Sequence, residues 1–156
     1  MHVDISKTKE YYHSITESPL CDCAYCRNYR LQIKSAFPKV AEYLDTLGID
    51  IEKAFETSPL EPDESGMLEY CCCQYIAFGT CVPEYHHIIG NVEFRVATSY
   101  PSTGIEQEHF VMNCFQFNYN MFRIFEFAKG DKGYESQSDS LRYICIGSLL
   151  FSGGNN

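Results

Sequence analysis

The chain has 156 residues, of which 45% are hydrophobic and 21% charged, and this suits one folded domain whose core needs no metal or disulfide. A net charge of −9 disfavours nucleic acid as a partner, because a negative surface repels phosphate. No stretch approaches the roughly 18 apolar residues of a membrane helix, and the first residues lack the apolar core of a signal peptide, so we expect a cytoplasmic protein with no membrane partner.

Helical patterns fill the first third of the chain. A short helix is predicted after Asp4. Across residues 25–47, apolar side chains recur at spacings of three and four, which is typical of amphipathic helices. Pro38 divides this pattern, so we expect one helix to about Ser35 and a second that begins at Pro38. Gly48 follows the last apolar residue and is predicted to cap the second helix.

Strand patterns dominate the middle of the chain. Residues 67–78 are apolar on both sides, which indicates a buried strand. In residues 92–99 two sets of side chains alternate, one of them largely apolar, which predicts a strand with one solvent-exposed face. Glu93 is predicted to lie on that face. Residues 109–117 are a third candidate. The segment that carries His86 and His87 is predicted to be a loop, and residues 49–66 a loop or an edge passage.

Helices first and strands afterwards indicate an α+β fold. We predict an N-terminal helical pair packed on an antiparallel sheet of three to five strands. Residues 1–156 are treated as a single domain with a core of about 5–118. For the C-terminal extension, residues 119–156, the pattern leaves two alternatives open: further strands, one of them at 141–151, or a poorly fitting tail.

The nine cysteines are an unusual feature of the composition. Their odd number and the lack of an export signal favour reduced thiols or metal ligands over a disulfide framework. Cys21, Cys23 and Cys26 form the most distinctive cluster, because a Cys-x-x-Cys pair in a tight turn can place two thiolates on one Zn²⁺. Zinc prefers four ligands, and the other residues that we predict as candidate metal ligands are Cys81, His86 and His87.

Two other interpretations of the same cysteines stay open. At a helix N-terminus the helix dipole would lower a thiol pKa and favour redox chemistry, although no strand precedes the cluster as a thioredoxin-like unit requires. Alternatively, a cysteine can serve as a small apolar side chain in a core. That interpretation is the simplest for the strand cysteines, which are Cys71, Cys72, Cys73, Cys114 and Cys145.

Three stretches of the sequence together resemble a family of small bacterial proteins that share an N-terminal Cys-x-Cys-x-x-Cys cluster and have no assigned activity. The resemblance covers roughly residues 5–117 and implies a domain that could be complete near residue 118. The stretches that carry it are Leu20 to Tyr29 (LCDCAYCRNY), Thr57 to Pro62 (TSPLEP) and Thr98 to Ile105 (TSYPSTGI).

Two functions from different classes follow from these observations. The first is a small bacterial binding module with a structural zinc site and no catalytic residues, since no nucleotide-binding, hydrolase or metalloprotease motif occurs. The second is an acidic protein that binds a basic protein partner, as an immunity protein or an inhibitor does. Its support is the charge of residues 49–113, which hold eleven acidic side chains against Lys53 and Arg95. A thiol enzyme is a third, weaker option that needs one activated cysteine.

Overall fold

A computed structural model describes residues 1–16, 21, 23–62, 64, 67–116 and 122–126, with the backbone alone for residues 67, 116 and 122–126. None of the helices in these segments is long and apolar enough to cross a bilayer. The helices are α1 (Ile5–Ser14), α2 (Ala24–Ala36) and α3 (Pro38–Thr46). The strands are β1 (His2–Val3), β2 (Glu56–Pro59), β3 (Met67–Thr80), β4 (His86–Ile89), β5 (Val92–Val96), β6 (His109–Gln116) and β7 (Phe122–Glu126).

The helices begin and end where local chemistry directs them. Asp4 caps α1, and its Oδ1 accepts a hydrogen bond from the Lys7 backbone N–H at 3.0 Å. Pro38 opens α3, where its missing N–H costs no helical hydrogen bond. Gly48 follows α3 with φ +79°, and a Cβ there would lie 2.7 Å from the Ile5 carbonyl oxygen. The predicted helices and the glycine cap are confirmed.

The sheet is antiparallel and is built around β3, which has 14 residues. Its continuous hydrogen-bonded order is β1-β3-β6-β5-β4, and β2 and β7 also pair with β3. Tyr70 of β3 pairs with both Pro59 of β2 and Phe122 of β7, so those two strands lie on opposite edges of β3. The prediction of an α+β fold with an antiparallel sheet is confirmed.

Buried tyrosines join α2 to β3. The rings of Tyr29 and Tyr70 meet edge to face with centroids 5.2 Å apart. The Tyr29 hydroxyl hydrogen-bonds the Tyr75 hydroxyl, which in turn donates to the Ile51 carbonyl oxygen at 3.1 Å. All three rings are at least 99% buried, so these hydroxyls need partners inside the protein. The contacts fix α2 relative to the strand that lies beneath it.

Two local predictions in the middle of the chain are wrong. His86 and His87 belong to β4 instead of a loop, because they pair with Arg95 and Phe94 across a hairpin that turns at Gly90. Glu93 was predicted to lie on the solvent-exposed face of its strand, yet only 3% of its surface is exposed. The Arg95 guanidinium that its carboxylate contacts offsets the cost of this burial, and His86 Nε2 lies 2.7 Å from the same carboxylate.

The predicted C-terminal extension contains a strand. β7 lies within it, beside the first residues of β3. The predicted strand at 141–151 lies outside the described residues. The boundary of the core near residue 118 therefore stays a prediction.

Candidate metal centre

The start of α2 brings cysteine side chains together. Cys23 is the N-cap residue, with extended backbone angles of φ −67° and ψ 157°. Its Sγ accepts a hydrogen bond from the Cys26 backbone N–H, with an N···S distance of 3.4 Å. This is the N-terminal capping arrangement, with a sulfur in the place of the usual oxygen. It turns the Cys23 side chain back over the first helical turn, where Cys26 lies.

Cys21, Cys23 and Cys26, named the thiol cluster from here on, have sulfur atoms that all lie within 4.8 Å of one another. Cys21 is exposed, whereas Cys23 and Cys26 are half-buried. Thiolates at about 2.3 Å from one tetrahedral zinc ion would lie about 3.8 Å apart. Small side-chain rotations would therefore bring the three sulfurs onto a single metal ion.

Side chains from two strands hold this helix start in place. The Tyr70 hydroxyl of β3 donates to the Tyr25 carbonyl oxygen at 2.7 Å, and Asn28 Nδ2 donates to that hydroxyl at 3.4 Å. Cys26 Sγ lies 3.7 Å from Thr57 Oγ1 of β2. The thiol cluster therefore rests on the sheet, and α2 cannot tilt away without breaking these contacts.

Hydrogen bonding separates the acidities of two members of the cluster. The Cys26 side chain, followed by the backbone N–H groups of the first turn, lowers the pKa of the Cys23 thiol to about 5, although partial burial acts in the opposite direction. The same hydrogen bond, together with burial, raises the pKa of the Cys26 thiol. The pair thus shares one negative charge. Arg30 holds the chain just before the helix, since its Nη1 donates to the Cys21 carbonyl oxygen at 2.7 Å.

The structure places the other predicted ligands elsewhere. Within the described ranges, the thiol cluster is the only group of three or more potential metal ligands with atoms this close together. Cys81 is half-buried against the main core. His86 contacts Glu93, and the His87 ring lies 4.6 Å from the Tyr43 ring.

Distance along β3 explains this separation. The thiol cluster lies beside Thr57, and Thr57 pairs with Cys73 in the middle of β3. From Cys73 to Thr80 the strand extends for about 23 Å at about 3.3 Å per residue. Cys81, His86 and His87 follow that end of the strand, so the structure does not bring them to the cluster.

One strand cysteine near the cluster, Cys72, lies on the opposite face of the sheet. Thr57 pairs with Cys73 and Pro59 with Tyr70, so β3 holds one extra residue at 71–72, a β-bulge. Cys72 Sγ lies 3.6 Å from Ser58 Oγ. Ser58 and Thr57 are neighbours in β2 and project to opposite faces of the sheet. Cys72 therefore lies on the other face from Cys26.

The predicted core role holds for two strand cysteines. Cys73 and Cys114, named the core thiols, are directly opposite each other on β3 and β6, and their exposed fractions are 0% and 1%. Burial raises the pKa of the Cys114 thiol well above its usual value. Cys71 and Cys72 are only half-buried at the bulge, and Cys145 lies outside the described residues.

Several residues of the site have no signal in the sequence. Thr57 lies 31 positions from Cys26, and Tyr70 lies 45 positions from Tyr25. Contacts at such separations depend on how the sheet packs, which local periodicity does not encode. The contact of Arg30 with the Cys21 carbonyl oxygen could not be inferred from helical spacing either.

Comparison of the chain with models of known protein families, with curated proteins and with solved structures finds no match. The resemblance to small bacterial proteins therefore rests on the three sequence stretches alone. What the molecule does has to be inferred from the site itself.

Proposed function

We propose that the chain is a binding module that holds a zinc ion on the thiol cluster and has no catalytic role of its own. The observation that carries this proposal is the convergence of three cysteine sulfurs within 4.8 Å at the start of one helix. Soft thiolates are preferred ligands of zinc. The fourth position of the ion would be filled by a further protein group or by water.

Burial argues against plain packing as the reason for the thiol cluster. A cysteine that serves as an apolar side chain is normally enclosed, as the core thiols are. Cys21 is exposed, and Cys23 and Cys26 are only half-buried and have polar partners. Three thiols that gather at a partly open surface are better explained by a ligand that they share.

The proposal gives the metal a structural role. Cys21 precedes α2, Cys23 caps it and Cys26 lies in its first turn. An ion bound to all three would lock the path by which the chain enters the helix. The proposal includes the predicted packing of α2 and α3 on one face of the sheet. Ring contacts support that packing, between Tyr29 and Tyr70 for α2 and between Tyr43 and Phe94 for α3.

Zinc content and thiol protection test this function. The full chain, purified without a chelator or a histidine tag, should contain about one zinc per chain. The thiols of the cluster should resist alkylation until a chelator removes the metal. Cys23→Ser should lower zinc affinity by at least about 100-fold, because a ligand is lost outright. Cys81→Ser is the matched control and should bind zinc as the natural chain does.

Either of two results would overturn the proposal. One is a natural chain that takes up no zinc, with the cluster thiols freely alkylated at all times. The other is a Cys81→Ser variant that loses as much zinc affinity as Cys23→Ser, which would place the metal elsewhere.

A further inference from the structure

We propose that oxidation of Cys23 and Cys26 to a disulfide empties the metal site, so that its occupancy follows the thiol–disulfide balance around the protein. This inference rests on the proposed zinc-binding function and adds its regulation. Its basis is geometric: two of the three proposed ligands lie three positions apart, and their sulfurs are already close together.

The local backbone favours a bond between these two sulfurs. A disulfide requires Cβ atoms about 3.5–4.5 Å apart and a sulfur–sulfur bond of about 2.05 Å. Cys23 has extended cap angles and lies outside the regular helix, while Cys26 occupies the first turn. Side-chain rotation at the cap can bring the sulfurs together while α2 keeps its hydrogen bonds. The loss is confined to the contacts of the two sulfurs, chiefly the capping hydrogen bond from the Cys26 N–H to Cys23 Sγ and the contact of Cys26 Sγ with Thr57.

The contacts assign different roles to the two cysteines. Cys23 Sγ accepts a hydrogen bond from the Cys26 backbone N–H, and this bond stabilises negative charge on that sulfur. Cys26 Sγ lies against Thr57 of β2 and is turned toward the protein. Cys23 is therefore the sulfur that meets an incoming reagent, and Cys26 is the sulfur that resolves the product. Cys21 is exposed and remains as a lone thiol.

The oxidant is a small disulfide, for which oxidised glutathione is the probe. The Cys23 thiolate attacks one glutathione sulfur, the glutathione disulfide bond breaks, and one glutathione thiolate leaves. Cys26, after its proton passes to solvent, attacks Cys23 Sγ and displaces the second glutathione thiolate. The two protein thiols lose two electrons, and the glutathione disulfide gains them. The released thiolates take up protons from solvent.

Metal loss follows from the number of thiolates that remain. A disulfide sulfur carries no negative charge and is a poor ligand for zinc, which is bound by thiolates. Oxidation would reduce the thiolates of the cluster from three to one. A single thiolate cannot retain the ion at the zinc concentrations in which a three-thiolate site is filled.

The test exposes the zinc-loaded full chain to oxidised glutathione. Zinc content is measured before oxidation, released zinc is measured with a chromogenic chelator, and peptide mass spectrometry locates the new bond. We expect about one zinc released per chain in step with a Cys23–Cys26 disulfide. Dithiothreitol with added zinc should restore the starting state.

Three variants, studied free of metal, test the roles of the cysteines. Cys26→Ser should stop at a glutathione adduct on Cys23, because the resolving sulfur is missing. Cys21→Ser should still form the Cys23–Cys26 disulfide. Cys81→Ser should behave as the natural chain does. A Cys26→Ser variant that acquires its adduct on Cys21, with none on Cys23, would overturn the assignment of roles.

The outcomes separate this inference from the proposed function. A chain that holds no zinc before oxidation refutes the function, and this inference falls with it. A chain that holds zinc and keeps it while the Cys23–Cys26 disulfide forms refutes this inference alone. Release of zinc with a different disulfide, or with none, also refutes this inference alone.

Discussion

The thiol cluster at the start of α2 and the core thiols in the centre of the sheet place the same residue type in two different settings. Cys73 and Cys114 lie opposite each other on neighbouring strands and are fully buried. Cys23 and Cys26 are half-buried beside an exposed Cys21. Both regions bring cysteines close together, so the closeness of cysteines does not by itself identify a metal-binding site.

The environment decides what each thiol can do. Burial raises the pKa of the Cys114 thiol, which stays protonated and behaves as a small apolar group. Hydrogen bonds from the first turn of α2 lower the pKa of Cys23 to about 5, so a thiolate forms near neutral pH. A cysteine at a helix start with an open side is therefore suited to a ligand, while a cysteine between two strands is suited to packing.

The largest expected effect comes from the packing around the core thiols. Phe94 lies opposite Cys114 and is fully buried. Phe94→Ala should lower the free energy of unfolding by about 3–5 kcal/mol, because the lost ring leaves a cavity. Urea unfolding followed by circular dichroism measures this. Leu31→Ala, at a side chain that is 82% exposed, is the control and should change stability by less than about 0.5 kcal/mol. A loss below about 1 kcal/mol for Phe94→Ala would mean that this region is not a packed core.

Serine substitutions compare the two regions directly. Cys114→Ser should lower the free energy of unfolding by about 1–3 kcal/mol, because it buries a hydroxyl among apolar groups. Cys21→Ser, in protein free of metal, should cost less than about 0.5 kcal/mol at its exposed position. If the two variants lost the same free energy of unfolding in urea, the distinction between the core thiols and the thiol cluster would not hold.

Alkylation at different pH values tests the difference in acidity. The thiolate is the reactive form, and its fraction rises as pH increases through the pKa. In metal-free protein, the reaction of Cys23 with iodoacetamide should have a midpoint near pH 5, where an ordinary thiol would have its midpoint near pH 9. Peptide mass spectrometry should find the core thiols unmodified until the protein unfolds. A midpoint for Cys23 above about pH 8 would contradict the assigned hydrogen bonding.

The smallest expected effect concerns the strand beneath the cluster. Thr57→Val removes the hydroxyl beside Cys26 and should weaken zinc binding by no more than about 10-fold, since this group does not touch the ion. Ser58→Ala changes the adjacent residue on the opposite face and should leave zinc affinity unchanged. Competition with a zinc-binding dye measures both. A larger effect from Ser58→Ala than from Thr57→Val would reverse the assignment of the two faces.

The sequence predicted those helices and strands whose apolar residues repeat at one regular spacing. α2 and α3 were predicted because their apolar residues repeat at helical spacing and Pro38 and Gly48 mark their limits. β4 was missed because its four residues are half-exposed and show no alternation of apolar and polar types. Glu93 was misplaced because its partners on the hairpin are set by register, which the sequence does not display.

The site could be predicted only as far as its cysteines are neighbours in sequence. The spacing of Cys21, Cys23 and Cys26 indicated the cluster, and the structure brings those sulfurs together. Cys81, His86 and His87 were proposed on residue type alone, and the long β3 strand separates them from the cluster. The alternative of an acidic surface that binds a basic protein rests on the charge of residues 49–113 and stays a prediction.

X-ray absorption at the zinc edge, on the full chain loaded with one equivalent of zinc, tests the central claim most directly. The account predicts about three sulfur neighbours at about 2.3 Å from the ion, with a lighter atom in the remaining position. Loss of one sulfur neighbour in the Cys21→Ser variant would identify the cluster as their source. A spectrum with only nitrogen and oxygen neighbours, or one that Cys21→Ser leaves unchanged, would contradict the proposal that these cysteines bind a metal together.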